Sequence, residues 1–399
     1  LVRLDLADGS EQVLHEEADE DLAEIINFDL YDGKIDMVIP QVGDVTPVGF
    51  TKAGKKLATL IAKQGQHVSI DRLRWAGNGD FVTATLSVDA QSYSYHIFDL
   101  NLGTDTKISD FYFKTKHTDA LVPTETVQIT ARDGMKLNAL LLRPKGVDGA
   151  APMVLEVHGG PAGQVKWEYH HFRQFLVNRG YAVLAVNFRG SSGLGKIYQA
   201  AGYGEYGRKM QDDLVDATLW AIDQGIADPN AIAINGSSYG GYASAMGLVR
   251  DPDLFKAGII EHAMLDVAYQ SQYPPHSWGL YLGQWERYFG DINTPGDMEK
   301  MHQRSPINLV GQMQAAALMV AGKRDRVVGF EQTERFISTA KELGKNIDSL
   351  IFENEGHGID KWQSRIRHAR RVEDFLAEHL GGRSGNWDWI EPIAAYLDN

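Results

Sequence analysis

The chain has 399 residues, 43% of them hydrophobic, and a formal net charge of −14, enough to bury a sizeable core but no basis for a Lys/Arg surface that follows phosphates, so nucleic acid is excluded as a partner. It has no cysteine, which excludes disulfides, thiolate nucleophiles and Cys-based zinc sites and leaves the compartment, cytoplasmic or periplasmic, open. No apolar run approaches the roughly 18 residues that span a bilayer, so a soluble chain with no membrane partner is expected; the Met-less start "LVRLDLADGS" lacks the features of a signal peptide and reads as a fragment or a processed piece.

Residues 1–113 read as short strands separated by turn signals: "LVRLDLADGSEQVL", "PVGFTKAGKKLATL", "LRWAGNGDFVTATLSV" and "YSYHIFDLNLGTDTKI". Gly9 and Gly103 follow the Asp-Leu pairs Asp5-Leu6 and Asp99-Leu100 at the same interval, and Gly54 falls near their midpoint. The resulting repeat of roughly 40 to 50 residues, with several strands in each, is that of β-propeller blades. This stretch holds about two blades, whereas closed propellers have at least about four. Either the remaining blades lie outside this chain, or the region is a small antiparallel sandwich.

From about residue 124 the pattern changes. "ETVQITARDGMKLNALLLRPK" predicts a hairpin around Arg132-Asp133-Gly134, and after it come the apolar strands "MVLEVHGG", "AVLAVNF", "AIAING", "AGIIEH", "AALMVAG" and "DSLIFEN". Helical spacing separates them, as in residues 209–224, where Met210, Leu214, Ala217 and Ala221 share a face. This alternation predicts an α/β fold, a mostly parallel, doubly wound sheet covered on both faces, occupying residues 114–399. Ligands in such sheets sit at the carboxyl ends of the strands.

At one of those ends stands "NGSSYGGY", residues 235–242. Gly236-Ser237-Ser238-Tyr239-Gly240 fits G-x-S-x-G, where a strand-to-helix elbow is so tight that only small residues fit two places either side of the nucleophile. Ser238 is thereby the candidate nucleophile, and a plain serine N-cap is the alternative. A serine hydroxyl needs a base, and the base an orienting carboxylate. In the chain order Ser, Asp, His, the strand before "GKRDRVV" places Asp325 at one carboxyl end, and the strand before "ENEGHG" places His357 at the next. Asp360 is the nearest substitute carboxylate; a turn role for Asp325 and a core role for His357 are the bland alternatives.

An oxyanion needs two N–H donors. Tyr239, directly after the nucleophile, is one; Gly160, then Gly159, in "HGGPAG" is the other. His158 invites a metal reading, but none of the 13 histidines stands at a metal-ligand spacing such as H-E-x-x-H, so no metal and no cofactor is expected. The aromatic stretch 269–289 lies between the elbow and Asp325, so Tyr273, Trp278 and Trp285 are either core or the lining of a substrate pocket. The tail "GNWDWIEPIAAYLDN" suggests a segment docked on the protein's own surface or on a second subunit.

The segments "ARDG", "HGGP", "RGYAVLAVNFRGSSGLGK", "MQDDLVDATLWAIDQGIADP", "GSSYGGYASAMGLVRDPDLFKAGI", "RSPI", "GKRD" and "NEGHG", between residues 123 and 382, resemble the prolyl oligopeptidase family of serine peptidases, in its acylaminoacyl-peptidase and dipeptidyl-peptidase-like branch. The resemblance implies an α/β-hydrolase domain preceded by a seven-bladed propeller that admits short peptides, with residues 1–113 as its last blades. It assigns the nucleophile to Ser238, the carboxylate to Asp325, the base to His357 and the oxyanion donors to Tyr239 and Gly160, and it puts Arg189 of "NFRGS" near the cleft as a substrate-binding residue. One departure stands out: Arg326 directly follows Asp325, one place earlier than the family's Asp-x-Arg-Val. The implied activity is hydrolysis of short peptides, of the acylaminoacyl-peptidase, dipeptidyl-peptidase, oligopeptidase or isopeptidase type. A carboxylesterase with the same triad and a non-catalytic interaction protein are the rival readings. Association with a second copy, or with a chain carrying the remaining blades, stays open.

Overall fold

The computed structural model describes residues 1–17, 20–29, 33–40, 46–65, 68–76, 79–88, 93–110, 118–279, 281–385 and 389–398. The chain forms two compact units, one of Leu1–Thr126, Lys166–Gln174 and Ser192–Ile197, the other of Val127–Val165, Phe175–Ser191 and Tyr198–Asn399. The domain boundary expected at residue 113 lies outside the described residues.

In the first unit, β1 (Val2–Leu4) and β2 (Glu11–Val13) form a hairpin, and β3 (Leu22–Ile26), β4 (Met37–Pro40) and β5 (Val48–Gly49) a small antiparallel sheet. Helix α1 (Lys52–Ala62) follows, then a four-stranded antiparallel sheet of β6 (Val68–Ala76), β7 (Phe81–Val88), β8 (Ser94–Asp99) and β9 (Thr104–Asp110), each paired with the next. Val82, Ala84 and Leu86 of β7 and Phe98 of β8 point to a core shared with Leu57, Leu60 and Ile61 of α1, the period-2 and period-3.6 patterns meeting on one apolar surface.

Of the strand expected over residues 47–60 only β5 forms, and helix α1 takes the rest. Thr51 caps it by accepting the Gly54 N–H at 3.2 Å, and Leu57, Leu60 and Ile61 recur at helical spacing on its buried face. Gly54 is therefore a close-packing residue, since a Cβ there would lie 1.8 Å from the Asp36 carbonyl oxygen. The other two glycines sit in matching turns. Gly9 and Gly103 have φ of +73° and +71°, and each donates its N–H at 2.8 Å to the carbonyl of the aspartate four residues back, Asp5 or Asp99. Both aspartate side chains also accept the N–H two residues on.

The remaining elements run β10 (Glu125–Thr130), β11 (Lys136–Leu142), β12 (Ala151–Val157), α2 (His171–Asn178), β13 (Ala182–Asn187), α3 (Gly195–Ala200) and α4 (Lys209–Asp223). Next come β14 (Ala227–Ser237), α5 (Tyr239–Arg250), β15 (Ala257–Glu261), α6 (Val267–Gln272), α7 (Leu282–Phe289) and α8 (Asp297–Gln303). The last are β16 (Ala316–Gly322), α9 (Phe330–Glu342), β17 (Ile347–Phe352), α10 (Trp362–Leu380) and α11 (Ile390–Asp398).

The eight strands β10 to β17 make one sheet in the order β10-β11-β13-β12-β14-β15-β16-β17. From β13 onward every neighbour is parallel, and β11 adds antiparallel to β13. β13 and β16 are buried along their whole length, as strands covered on both faces must be. The chain reverses its direction of travel across the sheet at β12, whose neighbours are β13 on one side and β14 on the other, and such a switch point opens a crevice beyond the strand ends. The terminal helix α11 packs against α10. Among the described residues no helix is long and apolar enough to cross a membrane.

Candidate active site

β14 runs into α5 through Ser238, whose φ of +61° and ψ of −118° are conformations a residue with a Cβ adopts only under constraint. The constraint is visible in the neighbouring glycines. A Cβ at Gly236 would lie 2.5 Å, and one at Gly240 2.0 Å, from the Val157 carbonyl at the end of β12. At Gly241 it would meet the Glu261 carbonyl of β15 at 2.3 Å. The start of α5 is thus wedged between the ends of two strands, and no alanine fits there. The Ser238 N–H donates to Glu261 O at 2.9 Å, while its hydroxyl makes no capping bond to the helix, unlike a plain N-cap serine.

Asp325 follows β16 and His357 follows β17, and the structure joins them: His357 Nδ1–H donates to Asp325 Oδ2 at 2.7 Å. The other oxygen, Oδ1, accepts the N–H groups of Val327 and Val328 at 2.8 and 2.9 Å. Burial pushes the Asp325 carboxyl up, but the His357 bond and these backbone donors outweigh it and hold its pKa below the usual carboxylate range. The loop carrying His357 is anchored by buried Glu355, whose carboxylate accepts the N–H groups of Asp360 and Lys361 at 3.2 and 3.1 Å. Asp360, the substitute carboxylate, meets this loop through its backbone. Arg326, one place early, is exposed, and its carbonyl accepts the Ser277 hydroxyl at 3.2 Å.

Gly159 borders the serine, since a Cβ on it would lie 3.5 Å from Ser238 Cβ. Gly160 has φ +131° in a turn so tight that a Cβ would be 2.3 Å from Gly163 N. His158 braces this loop: its Nδ1–H donates to Gly159 O at 2.7 Å, Nε2 lies 2.8 Å from Ser191 Oγ, and the ring stacks on Phe188 at 4.3 Å. Among the described residues no group of three or more His, Cys, Asp or Glu is placed to hold a metal ion. The Tyr239 ring is fixed among Phe188, Tyr206 and Tyr242, with centroids 5.0 to 5.8 Å away.

Two expectations for the pocket need correction. Arg189 is buried and turned into the protein. It is 4% exposed and its guanidinium is bidentate to both Asp133 of the hairpin turn and Asp213 of α4, at 2.6 to 3.0 Å. A buried cation with four such bonds is a structural clamp. Trp278 is also core rather than lining, 5% exposed and stacked on Trp285 at 5.0 Å. Tyr273 is 65% exposed, so of the three aromatics it and the half-buried Trp285 remain accessible.

No sequence motif marks the dipeptide Glu261-His262 at the end of β15. Glu261 accepts a hydrogen bond from His368 Nε2 of α10 at 3.2 Å. Burial raises the Glu261 pKa and lowers that of His368, but the pairing reverses both, leaving Glu261 below its ordinary 4.5 and His368 above its ordinary 6.5. The glutamate's contribution to stability is present above pH 4.5 and lost as pH falls through its folded pKa; the histidine's is present below pH 6.5 and lost as pH rises through its own. The pair therefore stabilises fully between pH 4.5 and 6.5. The expected result is a Tm that declines above pH 6.5 more steeply in the wild type than in a Glu261→Gln/His368→Gln double variant; parallel curves would contradict it.

A mixed sheet with a switch point at β12, a serine on a left-handed elbow after β14, and a hydrogen-bonded Asp-His pair after β16 and β17 define an α/β hydrolase. The prolyl oligopeptidase family profile matches residues 167–383, more than half of the chain, and the chain belongs to that family. Dipeptidyl aminopeptidase BIII of Pseudoxanthomonas mexicana is 34% identical over 336 residues, 79% of this chain and 48% of that protein. Dipeptidyl peptidase family member 6 of Caenorhabditis elegans is 32% identical over 233 residues, 58% of this chain and 32% of that protein. The chain spans less than half the length of these curated relatives. Among solved structures, a puromycin-hydrolyzing peptidase of Mycobacterium tuberculosis superposes with a TM-score of 0.82 at 23% identity, over 96% of this chain and 58% of that one, a likeness of fold.

Proposed function

We propose that this chain is the catalytic part of a serine peptidase that hydrolyses short peptides through an acyl-enzyme, of the dipeptidyl-peptidase, acylaminoacyl-peptidase, oligopeptidase or isopeptidase type. The observation that carries the reading is the left-handed Ser238 on the same sheet edge as the 2.7 Å His357–Asp325 bond. Ser238 Oγ attacks the scissile carbonyl while His357 Nε2 takes its proton, and Asp325 holds the imidazole in the tautomer that leaves Nε2 free to accept. The oxyanion is met by the Tyr239 N–H and an N–H of the Gly159-Gly160 loop. The amine departs with the proton from His357; water, deprotonated by the same imidazole, then releases the acid and restores Ser238. No metal or cofactor enters these steps. Tyr273 and Trp285 are the side chains we assign to substrate selection.

We assign residues 1–113 to the last blades of a propeller and 114–399 to the hydrolase. The matched turns at Gly9 and Gly103 and the four-stranded antiparallel sheet β6 to β9 support the propeller assignment. A peptide library incubated with the protein and analysed by mass spectrometry tests the activity, with simple esters in parallel. Cleaved short peptides bear the reading out; hydrolysis of esters alone moves it to a carboxylesterase, and a protein inert to both and to a fluorophosphonate is a non-catalytic relative.

A further inference from the structure

His262 is the one residue besides Ser238 that, without being glycine, has positive φ among the described residues, at +46°. It is 3% exposed, and among the described residues neither ring nitrogen has a hydrogen-bond partner. An unpaired buried imidazole on a left-handed backbone is costly twice over, and a leucine or phenylalanine would fill the space without unpaired nitrogens. The ring is set against the base: its centroid is 5.8 Å from that of His357 with the planes at 73°, edge to face.

The surroundings show why that contact matters. His357 stands between Gly356 and Gly358, which offer it no lateral packing, and Asp325 holds it by a single bond at Nδ1. Its covalent bond at Cγ and one hydrogen bond at Nδ1 leave the ring free to tilt about the line between them; a second ring packed against it restricts that tilt. The Glu261-His262 dipeptide is itself held from several sides. The His262 N–H donates to Val320 O of β16, and the carbonyl of Glu261 accepts the Ser238 N–H, both at 2.9 Å. The Glu261 carboxylate is bound to His368 of α10. One dipeptide thus touches the nucleophile through its main chain and the base through a side chain. Glu261, His357, Asp325 and His368 are the charged or titratable groups around the His262 ring, and burial, ahead of these, lowers its proton affinity, so no second positive charge stands beside an imidazolium at His357.

Resting on the triad reading above, we propose that Glu261-His262 is a positioning element that sets the register between Ser238 and His357, with the His262 ring as the second anchor of the base. His262 touches no reacting atom, and its effect falls on turnover rather than on substrate binding. His262→Ala lowers kcat by about 10- to 100-fold with KM within about 3-fold, the cost of a catalytic group displaced by a fraction of an ångström to an ångström. The rate of fluorophosphonate labelling falls in step, because phosphonylation uses the same base.

His262→Phe, which restores a planar ring against His357, recovers kcat to within about 3-fold of wild type. His262→Gly separates positioning from folding: it relieves the positive φ and has a higher Tm than His262→Ala, yet is as slow. Wild-type kcat in His262→Ala, equal losses in the Ala and Phe variants, or a kcat that follows Tm across the series overturns the proposal. Ser238→Ala is assayed alongside. If it turns over, the nucleophile reading has failed and this inference falls with it; if it is inert while His262→Ala runs at the wild-type rate, only this inference falls.

Discussion

Ser238→Ala lowers kcat/KM for peptide hydrolysis by about 10⁵- to 10⁶-fold and abolishes covalent labelling by a fluorophosphonate, leaving the residual rate that oxyanion donors and binding alone provide. The labelling control is informative because another Ser, His and Asp are hydrogen-bonded in series elsewhere in the chain. In the sheet β6 to β9, Ser94 Oγ lies 2.9 Å from His96 Nε2, and His96 Nδ1 lies 2.9 Å from Asp105 Oδ1. That relay sits on extended strands with Ser94 and His96 buried, and the Ser94 hydroxyl is also within 3.3 Å of the Leu86 carbonyl, so it satisfies core polar groups and offers no exposed nucleophile. Label remaining on Ser94 in the Ser238→Ala protein would contradict this. The backbone supplies a second measurement. Alanine keeps the Cβ at φ +61°, whereas glycine removes it, so Ser238→Gly unfolds at a higher temperature than Ser238→Ala, a difference of about 1–2 kcal/mol. Equal stabilities would mean the elbow is not strained.

Asp325→Asn lowers kcat by about 10⁴-fold with little change in KM. An asparagine keeps the Val327 and Val328 N–H bonds through its oxygen, so the loop survives. Its NH₂ group then faces His357 Nδ1, which can no longer donate, and the tautomer that satisfies this arrangement carries its proton on Nε2, where Ser238 needs an acceptor. Acid stability separates this from a folding defect. The Asp325 carboxyl has a folded pKa below the ordinary 3.8, so its contribution is present above pH 3.8 and is lost as pH falls through the folded value. The wild-type advantage over Asp325→Asn in urea titrations should therefore shrink below about pH 4. An advantage that persists unchanged in acid, or a variant with wild-type kcat, would argue against the Asp325–His357 pairing.

What could be read from residues alone follows the range of the forces involved. The sheet is legible because each buried strand is a continuous apolar run and each helix repeats its own period, both local signals. Ser238, Asp325 and His357 could be set at strand ends because glycines and strand termini mark those positions directly. The helix at 52–62 is misread because its one apolar face is only three turns long and lies among β-rich segments, so the glycine inside it passes for a turn. Arg189 and Trp278 look available for a ligand since nothing nearby in sequence reveals their partners: Asp133 is 56 residues away and Asp213 24. Glu261 and His368, separated by 107 residues, leave no periodic trace at all, and the ring contact between His262 and His357 depends on a single left-handed residue.

The wedging of α5 between the ends of β12 and β15 has a further consequence for how such an enzyme diversifies. At Gly236, Gly240 and Gly241 the collisions that forbid a Cβ are with carbonyl oxygens of neighbouring strands, so the location of the Ser238 hydroxyl is inherited from peptide groups common to every sequence that builds this sheet. On the assignment proposed above, substrate preference can then drift by exchanging Tyr273 or Trp285 without displacing Ser238 Oγ. Engineering of selectivity on this scaffold is best begun there, with the strand ends left untouched.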